Sequence, residues 1–217
     1  MACEKIKMRK ILRYAFCLLG APAFAGGTAG DFDYYVLALS WSPNWCALEG
    51  DARGAEQCDP AYSYGWTVHG LWPQYEEGWP TDCPTRQDAP TRRQSDRMAD
   101  IMGSAGLAFY EWRKHGTCSG LSGADYYATL RRAYDTLTIP PEFARLTDQV
   151  TLPARLIQEA FIAANPDLSP DAITITCDDG YIQEARICLT PDLTFRDCAP
   201  DTRRDCTLQR ALFDPVR

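Results

Sequence analysis

Compact cations are scarce in this chain. Of its 217 residues four are lysine, three of them within the first ten, and two are histidine. Beyond residue 25 the only lysine is Lys114, and the histidines are His69 and His115. No Cys-x-x-Cys pair occurs, and neither histidine stands at ligand spacing from two cysteines, so a structural zinc site is not expected and no metal or cofactor is called for. There is no Asn-x-Ser/Thr sequon to support glycosylation. Internal repeats and low-complexity linkers are also missing, which argues against solenoids and tethered arrays. After the first 25 residues no run approaches the ~20 uninterrupted apolar residues of a membrane helix. A membrane partner is therefore not expected.

What is present bounds the chain further. With 46% hydrophobic residues it can bury a real core, and one folded unit is expected over residues 26–217. Residues 1–25 read as an export signal: Lys5, Lys7, Arg9 and Lys10 precede an apolar run from about Tyr14 to Phe24, and Ala23-Phe24-Ala25 matches a small-x-small cleavage site. Setting those residues aside, with their five basic and one acidic side chains, leaves 17 basic against 28 acidic and a net charge of −11. Such a balance excludes a protein that coats long stretches of nucleic acid, because phosphate neutralisation supplies most of that affinity. It permits brief engagement of a polyanion in a small, locally positive cleft. Eight cysteines lie beyond the signal, an even number in an exported chain, and point to four disulfides and a secreted or periplasmic location.

Along the chain, the β-branched and aromatic run in DYYVLALSWSP (33–43) predicts a core strand, and YGWTVHGLWP (64–73) a second. In the second, Trp66, Val68 and Gly70 alternate with Thr67, His69 and Leu71, which sets His69 and Leu71 on one face. Cys46 and Cys58 flank a polar, glycine-bearing loop, and residues 73–94 read as a long loop. Short helices are predicted over 95–102 and 107–115, with Gly116 as a stop. Ser122-Gly123-Ala124-Asp125 resembles a capping box before a helix with Tyr127, Leu130, Tyr134 and Leu137 on one face, ended by Pro140-Pro141. Pro153 opens another helix, with Leu156, Ile157, Ala160, Phe161 and Ala164 inward, stopped at Asn165-Pro166. AITITC, the turn Asp178-Asp179-Gly180 and YIQEARICL then predict a hairpin. Strands and helices are segregated, so the fold class is α+β with a central antiparallel sheet packed with several helices.

The stretch EWRKHGTCSG (111–120) carries the chemistry. At about 100° per residue, Glu111, Lys114 and His115 share one helix face. A solvated ion-pair row is the common meaning of such spacing. Against it stands the choice of lysine where every other basic residue beyond the signal, the histidines aside, is arginine, which marks a place wanting a point charge rather than a planar fork. Lone histidines are mostly structural, but here two constitute the whole inventory, each set among tryptophans and glycines: WTVHGLW and WRKHG. An imidazole acid and base pair with one cation, without metal or nucleophile, suits phosphoryl transfer within RNA. One ring takes the 2′-hydroxyl proton, the other protonates the departing 5′-oxygen, and the ammonium steadies the phosphorane. Glu111 and the helix C-terminus both favour imidazolium at His115, which predicts a base that works only after releasing a tightly held proton; Lys114 opposes this, and an acidic optimum follows.

WTVHGLWPQ and FYEWRKHGTC resemble the two active-site segments of the ribonuclease T2 family of secreted acid endoribonucleases, and the similarity runs from YYVLALSWSP through EARICL. The resemblance implies an α+β fold and metal-independent cleavage of single-stranded RNA, with low base specificity, through a 2′,3′-cyclic phosphate to a 3′-phosphate. His69 would be the general acid, His115 the general base, and Glu111 with Lys114 the polarising and charge-stabilising pair. DNA, lacking the 2′-hydroxyl, would not be a substrate, and a monomer is expected. Two positions depart from the family. Tyr110 stands where many members carry a phosphate-holding histidine, and Gln74 where some carry an aspartate that bears on base choice. Trp72 and Trp79 are candidate stacking surfaces, with loop packing the alternative for Trp79. The resemblance also implies the pairs Cys83–Cys118, Cys46–Cys58, Cys177–Cys206 and Cys188–Cys198. A catalytically idle exported RNA-binding or toxin-like module is the rival reading.

Overall fold

The apolar run YYVLALSW pairs across the middle of a sheet because both of its faces find cover. The computed structural model describes residues 26–217; the export signal expected over 1–25 lies outside the described residues. Strand β1 (Tyr34–Trp41) leads into helix α1 (Ser42–Trp45), where Pro43 occupies the first turn. A π-helical stretch (Cys46–Gly50) continues it into α2 (Asp51–Arg53), closed by left-handed Gly54. The segment between Cys46 and Cys58, expected as a loop, is thus largely helical. Strand β2 (Trp66–Gln74) follows, then α3 (Arg92–Asp96), α4 (Ala99–Met102) and α5 (Ala105–Lys114). The single helix expected over 95–102 is two short ones, and the first begins inside the predicted loop because Thr91 and Gln94 form a capping box. Helix α6 (Gly123–Asp135) starts on the Ser122 cap, as the sequence predicts. Strand β3 (Val150–Leu152), α7 (Arg155–Ala164), β4 (Ile173–Asp178), β5 (Tyr181–Leu189) and β6 (Ala211–Phe213) complete the chain. Ile157 and Phe161 of α7 point inward as expected, whereas Leu156 is 40% exposed and lies off the buried face.

The architecture is α+β. Strands run β2-β1-β5-β6-β3 with β4 also on β5, and all pairs are antiparallel except one contact, Tyr181 with Leu212. One face carries Tyr35, Leu37, Leu39 and Trp41 of β1 against residues of α4, α5, α6 and α7 such as Met102, Trp112, Leu130 and Phe161. Each fully buried leucine there contributes about 1.5–3 kcal/mol. The opposite face holds a smaller cluster of Tyr34, Val36, Cys188, Cys198 and Ala199, with Trp72 packed against it. Disulfides join Cys46–Cys58, Cys83–Cys118, Cys177–Cys206 and Cys188–Cys198.

One irregularity of the β1–β2 ladder positions the site. Ala38 pairs with Gly70 and Leu39 with Val68, so His69 is an extra residue on β2, a β-bulge. The simple alternation expected for this strand therefore fails. The bulge changes its phase: Leu71, expected beside His69, is fully buried in the core with Val68, and Trp72 falls on the opposite face with His69.

Candidate active site

His69 sits on that bulge with its side chain 35% exposed. Its Nδ1 lies 2.5 Å from Glu184 Oε1 on β5, and its Nε2 lies 3.6 Å from Glu111 Oε1 on α5. Glu184 is buried and is held from its other side by Arg186, whose Nε–H donates to Oε2 at 2.8 Å. Glu111 is buried too, and accepts a 2.7 Å hydrogen bond from Trp72 Nε1–H. Glycine is required at position 70 for this contact, since a Cβ there would stand 2.3 Å from both Glu111 Oε2 and Trp72 Nε1. Trp72 lies between the two imidazoles in the sense that both ring centres are 5.3 Å from its own.

His115 is the last residue of the α5 turn, its N–H donating to Glu111 O at 2.9 Å. The carbonyl of Lys114, which the helix leaves unpaired, accepts from Asp82 N–H at 2.7 Å, and Cys83 is bonded to Cys118 just beyond. These two ties clamp the loop bearing Trp79 onto the end of the helix. The Lys114 ammonium stands 5.6 Å from the centre of the Tyr110 ring.

The four motif residues His69, Glu111, Lys114 and His115 all line one cleft of about 470 Å³, together with Trp72, Gln74, Trp79 and Tyr110. Trp79 is 60% exposed at its rim, so burial gives no support to loop packing. Gln74 is buried, and its amide donates to the adjacent Pro73 carbonyl. The sequence reading missed Arg186, Asp201 and Thr202, which also line the cleft, and Glu184 beneath His69. A second cavity of about 550 Å³ shares His69 and Tyr110 and runs past Ser40, Gln57 and Gln183. Among the described residues no group of three or more His, Cys, Asp or Glu side chains gathers as metal ligands.

The two imidazoles are biased in opposite directions. Burial works against a charge on His69, but its hydrogen bond to Glu184 and the charges of Glu184 and Glu111 outweigh that and raise its pKa above 6.5. His115 is pushed down to about 4, first by burial and then by the Lys114 ammonium and by His69. The expectation of a tightly held proton on His115 is thus corrected: Glu111 turns toward His69 and Trp72, and His115 Nδ1 is buried without a partner, so an imidazolium there would leave a donor unsatisfied. Glu111 is raised by burial, against the lowering pull of His69, Trp72 and Lys114. Glu184 is lowered, its burial outweighed by His69 and Arg186.

The depressed pKa of His115 has a thermodynamic consequence. Between pH 6.5 and 4 the unfolded chain binds a proton at this position and the folded chain does not, so stability falls as pH falls, by about 3 kcal/mol for this one group. Urea titrations of wild type and His115→Phe at pH 7 and pH 4 check this: the variant should lose markedly less stability on acidification.

The fold is a disulfide-stapled α+β one, with two imidazoles, a buried carboxylate and an ammonium on one cleft. The sequence profile of the Ribonuclease T2 family matches residues 32–198, and the chain belongs to that family. A ribonuclease from Aeromonas hydrophila is 34% identical over 87% of this chain and 99% of its own length. Ribonuclease I of Escherichia coli is 27% identical over 82% of each chain. Among solved structures, RNase NT in complex with 5′-AMP shares the fold with a TM-score of 0.59 at 22% identity, covering 86% of this chain and all of its own.

Proposed function

We propose that this ribonuclease is a metal-independent endonuclease of single-stranded RNA with low base specificity, acting by transphosphorylation and then hydrolysis. In the first step neutral His115 takes the proton of the 2′-hydroxyl, whose oxygen forms a bond to phosphorus. The bond from phosphorus to the 5′-oxygen breaks as His69 imidazolium protonates that oxygen. In the second step water bonds to the phosphorus of the 2′,3′-cyclic phosphate, giving a proton to the now neutral His69, while the bond from phosphorus to the 2′-oxygen breaks, His115 returns a proton to that oxygen and a 3′-phosphate is left. Lys114 stabilises the charge gathered on the phosphorane oxygens. Trp79, exposed at the rim, offers a π face on which any base can stack, and the one polar donor expected to read a base, the Gln74 amide, is engaged with Pro73, which favours low specificity. Two cavities share His69 and Tyr110, space that accords with a substrate continuing beyond the nucleoside held in one of them, as internal cleavage requires. Export to an oxidising compartment accords with the four disulfides.

The observation that carries this reading is the gathering of two imidazoles and one ammonium on one cleft, with His69 Nδ1 against the buried Glu184 carboxylate and His115 Nδ1 buried without a partner, surroundings that bias the two rings in opposite directions. Its test is product analysis with homopolymer RNA in EDTA. A 2′,3′-cyclic phosphate should appear first and a 3′-phosphate later, and a 2′-deoxy oligonucleotide should remain intact. Loss of cleavage in EDTA, or cutting of the deoxy strand, contradicts the mechanism; binding of RNA without any turnover would favour the idle-module alternative.

A further inference from the structure

The motif residues leave one ion pair of the site, a buried glutamate with a partly exposed arginine, without a role. Glu184 and Arg186 stand two apart on β5, on the face opposite the core residues Ala185, Ile187 and Leu189. Glu184 is 3% exposed; its Oε1 lies 2.5 Å from His69 Nδ1 and accepts from Ser40 Oγ–H at 3.5 Å, and its Oε2 faces Arg186 Nε and Nη2 at 2.8 and 2.7 Å. Arg186 is itself braced over the Trp72 ring at 5.3 Å. A buried carboxylate is costly unless so satisfied, and breaking one partner away leaves an uncompensated charge.

We propose that Glu184 is a positioning residue for the cleavage reaction, its Arg186-clamped carboxylate accepting from His69 Nδ1–H and so reserving Nε2 for proton exchange with the substrate. This rests on the reading of His69 as the acid. The tautomer follows from the geometry: after Nε2 releases its proton to the 5′-oxygen, the ring is left neutral with its remaining proton on Nδ1, facing Glu184. Nε2 then carries the lone pair that the hydrolytic step needs to take a proton from water. One fixed hydrogen bond thus serves both half-reactions, in the way an orienting carboxylate serves a general base. The other charged groups lining the cavities that His69 shares are Glu111 and Lys114 on α5, His115 just after it, Arg186 on β5, Asp201, and Glu49, Arg53 and Glu56. Of these, Glu111 approaches from the Nε2 side at 3.6 Å, and none faces Nδ1 as Glu184 does.

The experiment compares two substrates and one spectrum. A ribodinucleoside monophosphate has an alkoxide leaving group that needs a proton, whereas uridine 3′-(4-nitrophenyl phosphate) releases a phenolate that does not. Glu184→Gln should lower kcat on the first by about 10²-fold and on the second by less than about threefold. The His69 titration followed by NMR, simple in a chain with two histidines, should move down by about one pH unit or more in the variant. Equal losses on both substrates with an unmoved titration overturn the proposal. If Glu184→Gln does not fold, the unaltered protein still decides: a hydrogen-bonded Nδ1–H on His69 is required, and its absence refutes the assignment. His69→Ala separates the two levels of the argument. Should it slow both substrates alike, His69 is not the acid and the proposal falls with that reading; should it alone show the leaving-group dependence, only the role of Glu184 falls.

Discussion

His115→Ala lowers kcat/KM for a ribodinucleoside monophosphate by about 10³-fold, and His69→Ala does the same, because each removes one partner of a proton transfer worth about 10²–10⁴. The two losses do not multiply in the double variant, since a site that has lost its base has little use for its acid. The pH profile distinguishes the roles. Activity requires His115 neutral and His69 protonated. With the His115 pKa near 4, kcat/KM rises as pH climbs through about 4; with that of His69 raised above 6.5, it falls only beyond that value. The optimum is therefore a plateau in the mildly acidic to neutral range. His115→Ala should erase the acid limb and leave the alkaline one, and His69→Ala the reverse. An optimum above pH 9, or the limbs disappearing in the opposite order, would reverse or remove the assignments.

Much of this site was legible because its parts are local. Glu111, Lys114 and His115 occupy one turn of one helix, so helical spacing alone places them together, and the rarity of lysine and histidine marks the turn as unusual. His69 was legible as a residue but not as a geometry. Its bulge is a property of the β1–β2 pairing, in which one extra residue changes which side chains face the core, and no pattern within WTVHGLWPQ shows the partner strand. Glu184 was harder still, because its contact with His69 spans 115 residues of chain. The available signal was a glutamate and an arginine at alternate positions in a strand that is otherwise apolar but for Gln183 and the Tyr181 hydroxyl, facing away from Ala185, Ile187 and Leu189. The charge on His115 was misjudged for a physical reason: helix position and a neighbouring carboxylate can be read from sequence, whereas the burial that outweighs both cannot. Strands β3 and β6, three residues each, are too short for alternation to be seen. Thr91-x-x-Gln94, by contrast, is a capping box that composition hid inside a stretch rich in proline and aspartate.

Lys114→Ala carries two separable consequences. The first is catalytic. An ammonium in the same cleft as both imidazoles meets a phosphorane whose equatorial oxygens hold more charge than the ground-state diester, so its removal should cost about 10²–10³ in kcat with a smaller change in KM. Lys114→Arg should restore only part of that loss, because a planar, more weakly hydrated fork cannot take the place of a point charge above Tyr110 without displacing one of them. The second consequence is electrostatic and needs no substrate. Lys114 is one of the causes that depress the His115 pKa, so its loss makes imidazolium easier to form and moves that pKa upward. Since the base acts only when neutral, the acid limb of the pH profile must shift to higher pH, and the NMR titration of His115 must shift with it. Lys114→Arg keeps the charge and should leave both nearly in place. A large kcat loss with an unmoved His115 titration would place the ammonium farther from the ring than the cleft geometry implies, while a shifted titration with undiminished kcat would make Lys114 a tuner of the base rather than a stabiliser of the phosphorane.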